Sequence, residues 1–194
     1  MAFCSDDDVI LSRTGNFHKW MFCPKGTAFL WVAPAHQPSA QGVLISHYWR
    51  ESFWKRFQMQ GTLNDTAFLT VPTALKFVHT VAGGVESMRK ENHEMVCWAA
   101  NMLCERWSTE LLVPLEKCTT MAVILCPLTM KTEDENFFDL VWDQFKIIVP
   151  IIRMPGMCGV WARISANLYN QRSDYERLAD AVLQLKDERV LTSR

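Results

Sequence analysis

The stretch G-N-F-H-K-W-M-F-C-P-K-G-T-A-F-L-W-V, residues 15–32, contains the features from which the fold can be inferred. It runs into A-F-L-W-V-A at residues 28–33, a short apolar segment that Pro34 stops, and this predicts a buried strand. Upstream, Lys19 stands between a histidine and a tryptophan in apolar surroundings. A lysine in such surroundings is more easily deprotonated, and its neutral amine can form a Schiff base with a carbonyl group. The alternative is a surface lysine whose ammonium group reaches solvent.

The composition is that of a globular protein. Of the 194 residues 49% are hydrophobic, and 20 basic against 21 acidic residues give a formal net charge of -1. This balance argues against nucleic-acid binding and against a polybasic membrane anchor. No apolar stretch approaches the length of a membrane span, and the chain starts with an acidic run rather than a secretory signal. We therefore expect a cytoplasmic protein with no membrane partner.

Seven cysteines stand at positions 4, 23, 97, 104, 118, 126 and 158, and no two of them form a C-x-x-C pair. Most have apolar neighbours, as in C-W-A-A-N-M-L-C. This pattern predicts buried free thiols in a reducing compartment rather than a metal site.

The middle of the chain predicts helices whose role is packing. Residues 52–65 mix aromatic and polar side chains without a clean period, so we predict an irregular segment that leads into a helix near residues 67–78. Residues 85–107 predict a long amphipathic helix, in which His93 is expected to be structural. The apolar residues that recur there at helical spacing are Val96, Ala99, Ala100, Leu103 and Trp107.

The last third predicts a compact α+β unit with the order strand, helix, strand, hairpin, strand, helix. The strands are T-M-A-V-I-L-C, I-I-V-P-I-I and V-W-A-R-I-S, and the last two flank the turn M-P-G-M-C-G. Two capping boxes, Thr132 with Glu135 and Ser173 with Glu176, predict the helix starts. The predicted inward residues are Phe137, Phe138, Val141, Trp142 and Phe145 in the first helix and Tyr175, Leu178, Val182 and Leu185 in the second.

The segment around Lys19 resembles the cofactor-lysine segment of class V aminotransferase-fold enzymes, which use pyridoxal 5'-phosphate (PLP). It looks most like the isopenicillin N epimerase-like branch, which includes cysteine desulfhydrases and other C–S lyases. Two further stretches resemble the same family in the same order. They are Q-M-Q-G-T-L-N-D-T-A-F-L-T-V-P-T-A-L at residues 58–75 and W-A-R-I-S-A-N-L-Y-N-Q-R-S-D-Y-E-R-L at residues 161–178.

The resemblance implies an α/β fold, namely the C-terminal part of a PLP-dependent transferase of fold type I. This part comprises the end of the large domain and the small α+β C-terminal domain. We expect residues 1–95 to be a remnant of the PLP-binding large domain with the cofactor lysine and the long connecting helix, and residues 96–194 to be the small domain. In the family, the upstream half supplies an aspartate to the pyridine nitrogen and a residue that stacks on the ring. Only 18 residues precede Lys19, which is too few for that half, so we expect the chain to be truncated.

The resemblance also implies roles for individual residues. It makes Lys19 the catalytic lysine that binds PLP covalently and His18 a contact of the cofactor phosphate. Asn16 stands where relatives often have a serine that contacts the same phosphate, and an amide can also donate hydrogen bonds. Gly61 and Thr62 match a Gly-Thr pair that contacts the phosphate of the partner subunit's cofactor; without the resemblance they would simply be a turn.

Arg163 matches the family arginine that binds the α-carboxylate of the substrate. A guanidinium group suits this task because its planar fork can grip a carboxylate through two parallel hydrogen bonds. From the residues alone, an arginine in the apolar strand V-W-A-R-I-S is either functional or paired with an acidic neighbour. No metal is expected.

The implied function is that of a PLP-dependent enzyme acting on a small-molecule amino-acid substrate, as an epimerase, a C–S lyase or an aminotransferase. The residues do not choose among these reactions. The alternative is a catalytically inactive fragment or pseudoenzyme that serves as an interaction module. Family members are usually homodimers, and the aromatic-rich Y-W-R-E-S-F-W-K-R-F at residues 48–57 could cover an interface or belong to the core.

Overall fold

The computed structural model describes residues 11–58, 61–128 and 136–191 of the chain. Its contacts form two compact units, one ending at Val81 and the other beginning at Ala82. The boundary expected from the sequence, between residues 95 and 96, lies within a helix of the second unit. The division by contacts therefore comes earlier in the chain.

The first unit begins with a two-stranded antiparallel hairpin. Strand β1 (Ser12–Asn16) pairs with strand β2 (Ala28–Val32), and the one-turn helix α1 (Phe17–Trp20) follows β1 directly. The predicted strand at residues 28–33 is confirmed, but the prediction that it is buried is wrong for most of its length. Only Val32 is buried, and the sheet that contains β2 has just two strands among the described residues.

Residues 53–58 form a helix where the sequence predicted an irregular segment. Helix α2 (Phe53–Gln58) buries Phe53 and Arg56, which are three residues apart and therefore share one face. The Arg56 guanidinium donates hydrogen bonds to the carbonyl oxygens of Gln37 at 2.7 Å and Pro38 at 3.1 Å. Because a buried arginine does not count as an apolar residue, the spacing of apolar residues does not indicate a helix here.

The next predicted helix is divided in two. Helix α3 (Thr66–Leu69) ends at Thr70, and helix α4 (Val71–Val81) follows at once. Pro72 lies in the first turn of α4, where its missing N–H is not needed. The proline therefore fits a helix start better than the middle of one long helix.

The second unit confirms the predicted order of elements. It contains helix α5 (Val85–Trp107), strand β3 (Met121–Leu125), helix α6 (Phe137–Phe145), strand β4 (Ile151–Ile152), strand β5 (Trp161–Ser165) and helix α7 (Arg172–Leu191). The strands form an antiparallel sheet in the order β3-β5-β4, so β5 is central. The ring of His93 in α5 lies 2.9 Å from the carbonyl oxygen of Thr119, which fits the structural role expected for it.

One face of this sheet carries the main core. The residues of α5 and α7 that were predicted to point inward are all buried. With Ala122 and Ile124 of β3 and Ala162 and Ile164 of β5 they form one apolar cluster. Alternation along a strand places Arg163 on the opposite face of β5.

One of the two predicted capping boxes can be compared with the structure. Helix α6 is capped by Asn136, whose Oδ1 accepts from the Phe138 N–H at 3.1 Å, while Thr132 and Glu135 lie outside the described residues. The Ser173 box is wrong, because α7 already begins at Arg172. There the Asp174 carboxylate accepts from the Gln171 N–H at 2.9 Å. A carboxylate in the first turn also suits the positive end of the helix dipole.

Among the described residues no single helix is both long and apolar enough to cross a membrane, although one bent pair of helices meets that test by length and composition. The six cysteines of the described residues are free, and Cys23, Cys118 and Cys126 are buried as predicted. Cys97 and Cys104 are only partly buried and Cys158, in the turn before β5, is exposed, so the prediction of buried thiols holds for three of the six.

Candidate functional site

The end of the β1–β2 hairpin positions Asn16, His18 and Lys19. Asn16 is the last residue of β1 and pairs with Ala28, and the other two residues lie in α1. Gly15 pairs with Phe29, and a Cβ atom at Gly15 would lie 2.5 Å from Cε1 of the Phe29 ring. A glycine therefore lets that ring pack closely beside the strand that leads to the site.

His18 is held at two points by one carbonyl group. Its backbone N–H donates to the oxygen of Thr27 at 3.1 Å, and its ring Nδ1 lies 2.8 Å from the same oxygen. Since a carbonyl oxygen only accepts, Nδ1 carries the proton, and Nε2 is left to contact other groups. Thr27 is itself completely buried, and its hydroxyl donates to the oxygen of Pro24 at 2.8 Å. The residue next to Lys19 is thus fixed in position.

The side chain of Lys19 is exposed, which corrects the expectation of an apolar pocket around it within this chain. The apolar neighbours in sequence, Phe17 and Trp20, are only half-buried, and Phe17 packs on Phe29 with ring centres 5.3 Å apart. Within the part of the chain that the structure describes, the Lys19 amine has no hydrogen bond and no ion pair. Asn16 is also exposed, and its side chain does not cap α1. Both groups are therefore available to a ligand.

Gly61 and Thr62 line a cavity of about 830 Å³ in the first unit. Gly61 has φ +110°, and nothing lies within 4 Å of the place where a Cβ atom would be. A ligand can therefore approach its backbone closely. The wall of the cavity also includes Tyr48, Lys55 and Asp65, but it includes neither Lys19 nor its neighbours Asn16 and His18. The structure thus presents two separate groups of predicted cofactor-binding residues.

Arg163 lies in the central strand β5, on the face opposite the main core. Its backbone N–H donates to the oxygen of Pro150 at 2.9 Å, and it pairs with Val123 of β3. The side chain is exposed, and among the described residues it has neither an ion pair nor a hydrogen bond. The acidic neighbour considered from the sequence is therefore not found in the described part of the chain. The guanidinium fork is open to bind an anionic ligand.

Lys55 and Tyr48 were not singled out from the sequence as site residues. The segment that contains them was considered only as a possible interface or core segment. Helix α2 ends at Gln58, so Lys55 lies shortly before Gly61 in the chain, and both residues line the same cavity. The closeness of Lys55 to Gly61 in the sequence is the signal that indicates it as a site residue. Among the described residues no group of three or more histidine, cysteine or acidic side chains could hold a metal ion.

Comparisons with known proteins point to one family, although no family model matches the chain. The chain is 33% identical over 187 residues to a probable chloroplastic L-cysteine desulfhydrase of Arabidopsis thaliana, covering 87% of this chain and 38% of that protein. It is 30% identical to a putative L-cysteine desulfhydrase 1 of Oryza sativa subsp. japonica, covering 93% and 42%. An isopenicillin N epimerase of Streptomyces clavuligerus is 26% identical, with 93% and 50% covered.

A comparison of structures agrees on the fold. A cysteine desulfurase from Thermococcus onnurineus NA1 superposes with a TM-score of 0.68 at 14% identity, covering 92% of this chain and 47% of that chain. The chain spans half or less of the length of these proteins. By these comparisons the chain is related to L-cysteine desulfhydrases and isopenicillin N epimerases, and it fits the C-terminal half of the PLP-dependent class V fold.

Proposed function

We propose that this chain supplies the lysine, phosphate-binding and carboxylate-binding residues of a PLP-dependent enzyme that acts on an amino acid. The reaction we favour is cleavage of a C–S bond in cysteine or a cysteine derivative. The observation that carries the proposal is the double hydrogen bond from His18 to the carbonyl oxygen of Thr27. It fixes the residue next to Lys19 and leaves the Lys19 amine uncovered.

The donor set of the chain fits the cofactor. Lys19 offers an amine for the aldehyde group, the exposed Asn16 amide can donate to the phosphate, and Nε2 of His18 can donate to it when the ring is protonated. When bound, PLP acts as the electron sink for negative charge at the α-carbon of the substrate. Lys19 then serves as the base that takes or returns the proton at the α-carbon. The Lys19 amine must reach the α-carbon for this step, and the fixed position of His18 beside it helps to orient Lys19 toward that atom.

Arg163 would bind the α-carboxylate of the amino acid. Its guanidinium group is free of acidic partners among the described residues, so no ion pair has to be broken when a carboxylate binds. Two parallel hydrogen bonds would fix the orientation of the carboxylate, and with it the direction of the bonds at the α-carbon. This function needs no metal ion.

The choice of reaction rests on the relatives. Two proteins with L-cysteine desulfhydrase in their names are 33% and 30% identical to this chain, and the isopenicillin N epimerase is 26% identical. Epimerisation and transamination are the other reactions that begin with loss of a proton from the α-carbon, so they follow C–S cleavage in our order of preference. The free thiols of the described cysteines support the proposed cytoplasmic setting.

A homodimer is part of the proposal. Gly61 and Thr62 line a cavity that Asn16, His18 and Lys19 do not reach. This separation supports the assignment of Gly61 and Thr62 to the phosphate of the partner subunit's cofactor. Large exposed side chains between residues 43 and 54, among them Val43, Ile45 and Trp54, offer apolar surface that a second copy could bury.

The second candidate is a catalytically inactive interaction module. It is favoured by the exposure of both Lys19 and Arg163, because proton transfer at carbon requires a site that excludes water. The two candidates differ in cofactor binding. We would record the absorption spectrum of the purified protein with added PLP for wild type, Lys19→Ala and the control Lys25→Ala, whose lysine is also exposed in the same hairpin. The enzyme proposal predicts a new long-wavelength band in wild type and Lys25→Ala that is absent from Lys19→Ala. Identical spectra for all three proteins would contradict it.

A further inference from the structure

We propose that Lys55 is a third phosphate-binding residue of the cavity lined by Gly61 and Thr62, and that Glu51 holds its ammonium group when no anion is bound. This inference rests on the proposed function, since it takes Gly61 and Thr62 to be phosphate ligands. Lys55 adds the positive charge that Gly61 and Thr62 lack.

The need for a charged member follows from the ligand. A phosphate monoester carries a charge of about -1.5 to -2 at neutral pH. A glycine N–H and a threonine hydroxyl are neutral donors, so they can orient such a group without balancing its charge. Among the described residues that line the cavity, Lys55 is the only cation. It is therefore the group from which the compensating charge can come.

The ammonium group of Lys55 is placed so that it can change partners. Its Nζ lies 3.2 Å from Oε2 of Glu51, four residues earlier and just before α2, and the two side chains are 54% and 52% exposed. Exposed ion pairs of this kind are weak, because water screens the charges and both side chains must be held in one geometry. A phosphate group has more negative charge than a carboxylate and can compete for the same ammonium group. Lysine also has a long, flexible side chain, which lets it move between the two.

Other charged and polar groups at the cavity set the limits of this attraction. Asp65 is an acidic residue of the wall and opposes the binding of an anion. The centre of the Tyr48 ring lies 6.0 Å from Nζ of Lys55, at the outer range of a cation–π contact. The ring therefore attracts the ammonium group only weakly and does not neutralise its charge. The open backbone at Gly61 gives the anion room to approach. Lys55 must therefore outweigh Asp65 for phosphate to bind.

The experiment is a calorimetric titration of the full chain with inorganic phosphate. Lys55→Gln should weaken phosphate binding about fivefold, because it removes one exposed charge interaction. Glu51→Gln should strengthen binding by two- to fivefold (roughly), since it frees Lys55 from its resting partner. The matched control is Lys76→Gln, which changes an exposed lysine in α4 that does not line the cavity, and it should bind phosphate like wild type.

Equal affinities for Lys55→Gln and Lys76→Gln would overturn the proposal, and so would wild-type protein that binds no phosphate. A parallel titration separates the source of the phosphate. PLP should lose affinity for Lys55→Gln, whereas pyridoxal, which lacks the phosphate, should bind the variant and wild type equally. Lys19→Ala should keep its Lys55-dependent affinity for inorganic phosphate. If that affinity is present while the Lys19-dependent absorption band is missing, the proposed function fails and the phosphate site stands.

Discussion

The carbonyl oxygen of Thr27 accepts two hydrogen bonds from His18, one from the backbone at 3.1 Å and one from ring Nδ1 at 2.8 Å. Through this contact Thr27, the residue just before β2, holds α1 and so fixes the backbone position of Lys19. It also fixes the tautomer of the ring. In the neutral form Nε2 has no proton and accepts, so the ring can donate from Nε2 to a phosphate group only as the imidazolium ion.

Thr27→Val should destabilise the first unit and loosen the Lys19 segment. The variant keeps the shape of the side chain but removes the donor to the Pro24 carbonyl from a completely buried position. Loss of such a bond costs about 1–3 kcal/mol in the free energy of unfolding. Urea unfolding followed by fluorescence would measure it. Thr14→Val is the control, because the Thr14 hydroxyl also bonds a backbone carbonyl, at 2.9 Å from Phe29, but in an exposed position. Equal losses for the two variants would contradict the importance of the Thr27 tether.

Arg163→Gln should leave stability nearly unchanged and weaken binding of an amino acid to the PLP-loaded protein about 10-fold or more, because it removes a charge-assisted fork for the carboxylate. The side chain is exposed and has no partner among the described residues, so its removal leaves no buried group unsatisfied. A spectral titration with an amino acid would measure the affinity. Arg153→Gln, a second exposed arginine of the same unit, is the control. A similar loss of affinity in both variants would exclude a specific carboxylate contact.

Stability should fall at alkaline pH in a way that depends on Tyr175. Burial, with a smaller contribution from the neighbouring Asp174 carboxylate, raises the pKa of Tyr175 to about 12. In the unfolded chain a tyrosine ionises near pH 10, so between these values the unfolded state binds fewer protons than the folded state. The free energy of unfolding must therefore decrease as pH rises through that window. Urea unfolding at about pH 9 and 11 should show a smaller decrease for Tyr175→Phe than for wild type. An unchanged decrease would place the cause elsewhere.

The thiols should differ widely in reactivity. Cys158 is exposed in the turn before β5, whereas burial raises the pKa of Cys126 to about 12 and so keeps it a protonated thiol at neutral pH. Among the six described cysteines, brief treatment with a maleimide followed by peptide mass spectrometry should find the label on Cys158 first and on Cys126 last. Early labelling of Cys126 would mean that the core cluster around β3 opens readily.

The parts of the fold that were predicted correctly are those where apolar spacing and burial act together. Helices α5 and α7 each place a run of apolar residues in one core, as Leu103 and Val182 illustrate, and a core of that size leaves few other solutions. Helix α2 was missed because one of its two buried residues is Arg56, which is held by loop carbonyls that are far away in sequence. No local pattern contains that information.

The site could be predicted only in part for a similar reason. The apolar neighbours of Lys19 in the sequence suggested a pocket, but neighbours in sequence need not surround a side chain in space, and Lys19 is exposed. The roles of Gly61, Thr62 and Arg163 came from resemblance to the family and not from the residues themselves. Their exposure and lack of partners in the described chain are findings that only the structure supplies.

The most direct test of the central claim is to identify the lysine that binds PLP. Purified protein would be incubated with PLP, reduced with borohydride and digested, and the peptides would be analysed by mass spectrometry. We expect the pyridoxyl group on the peptide containing Lys19, at a level well above that on Lys25, and we expect Lys19→Ala to abolish this labelling. Equal, scattered labelling of exposed lysines in wild type and variant would contradict the claim that this chain carries a cofactor site.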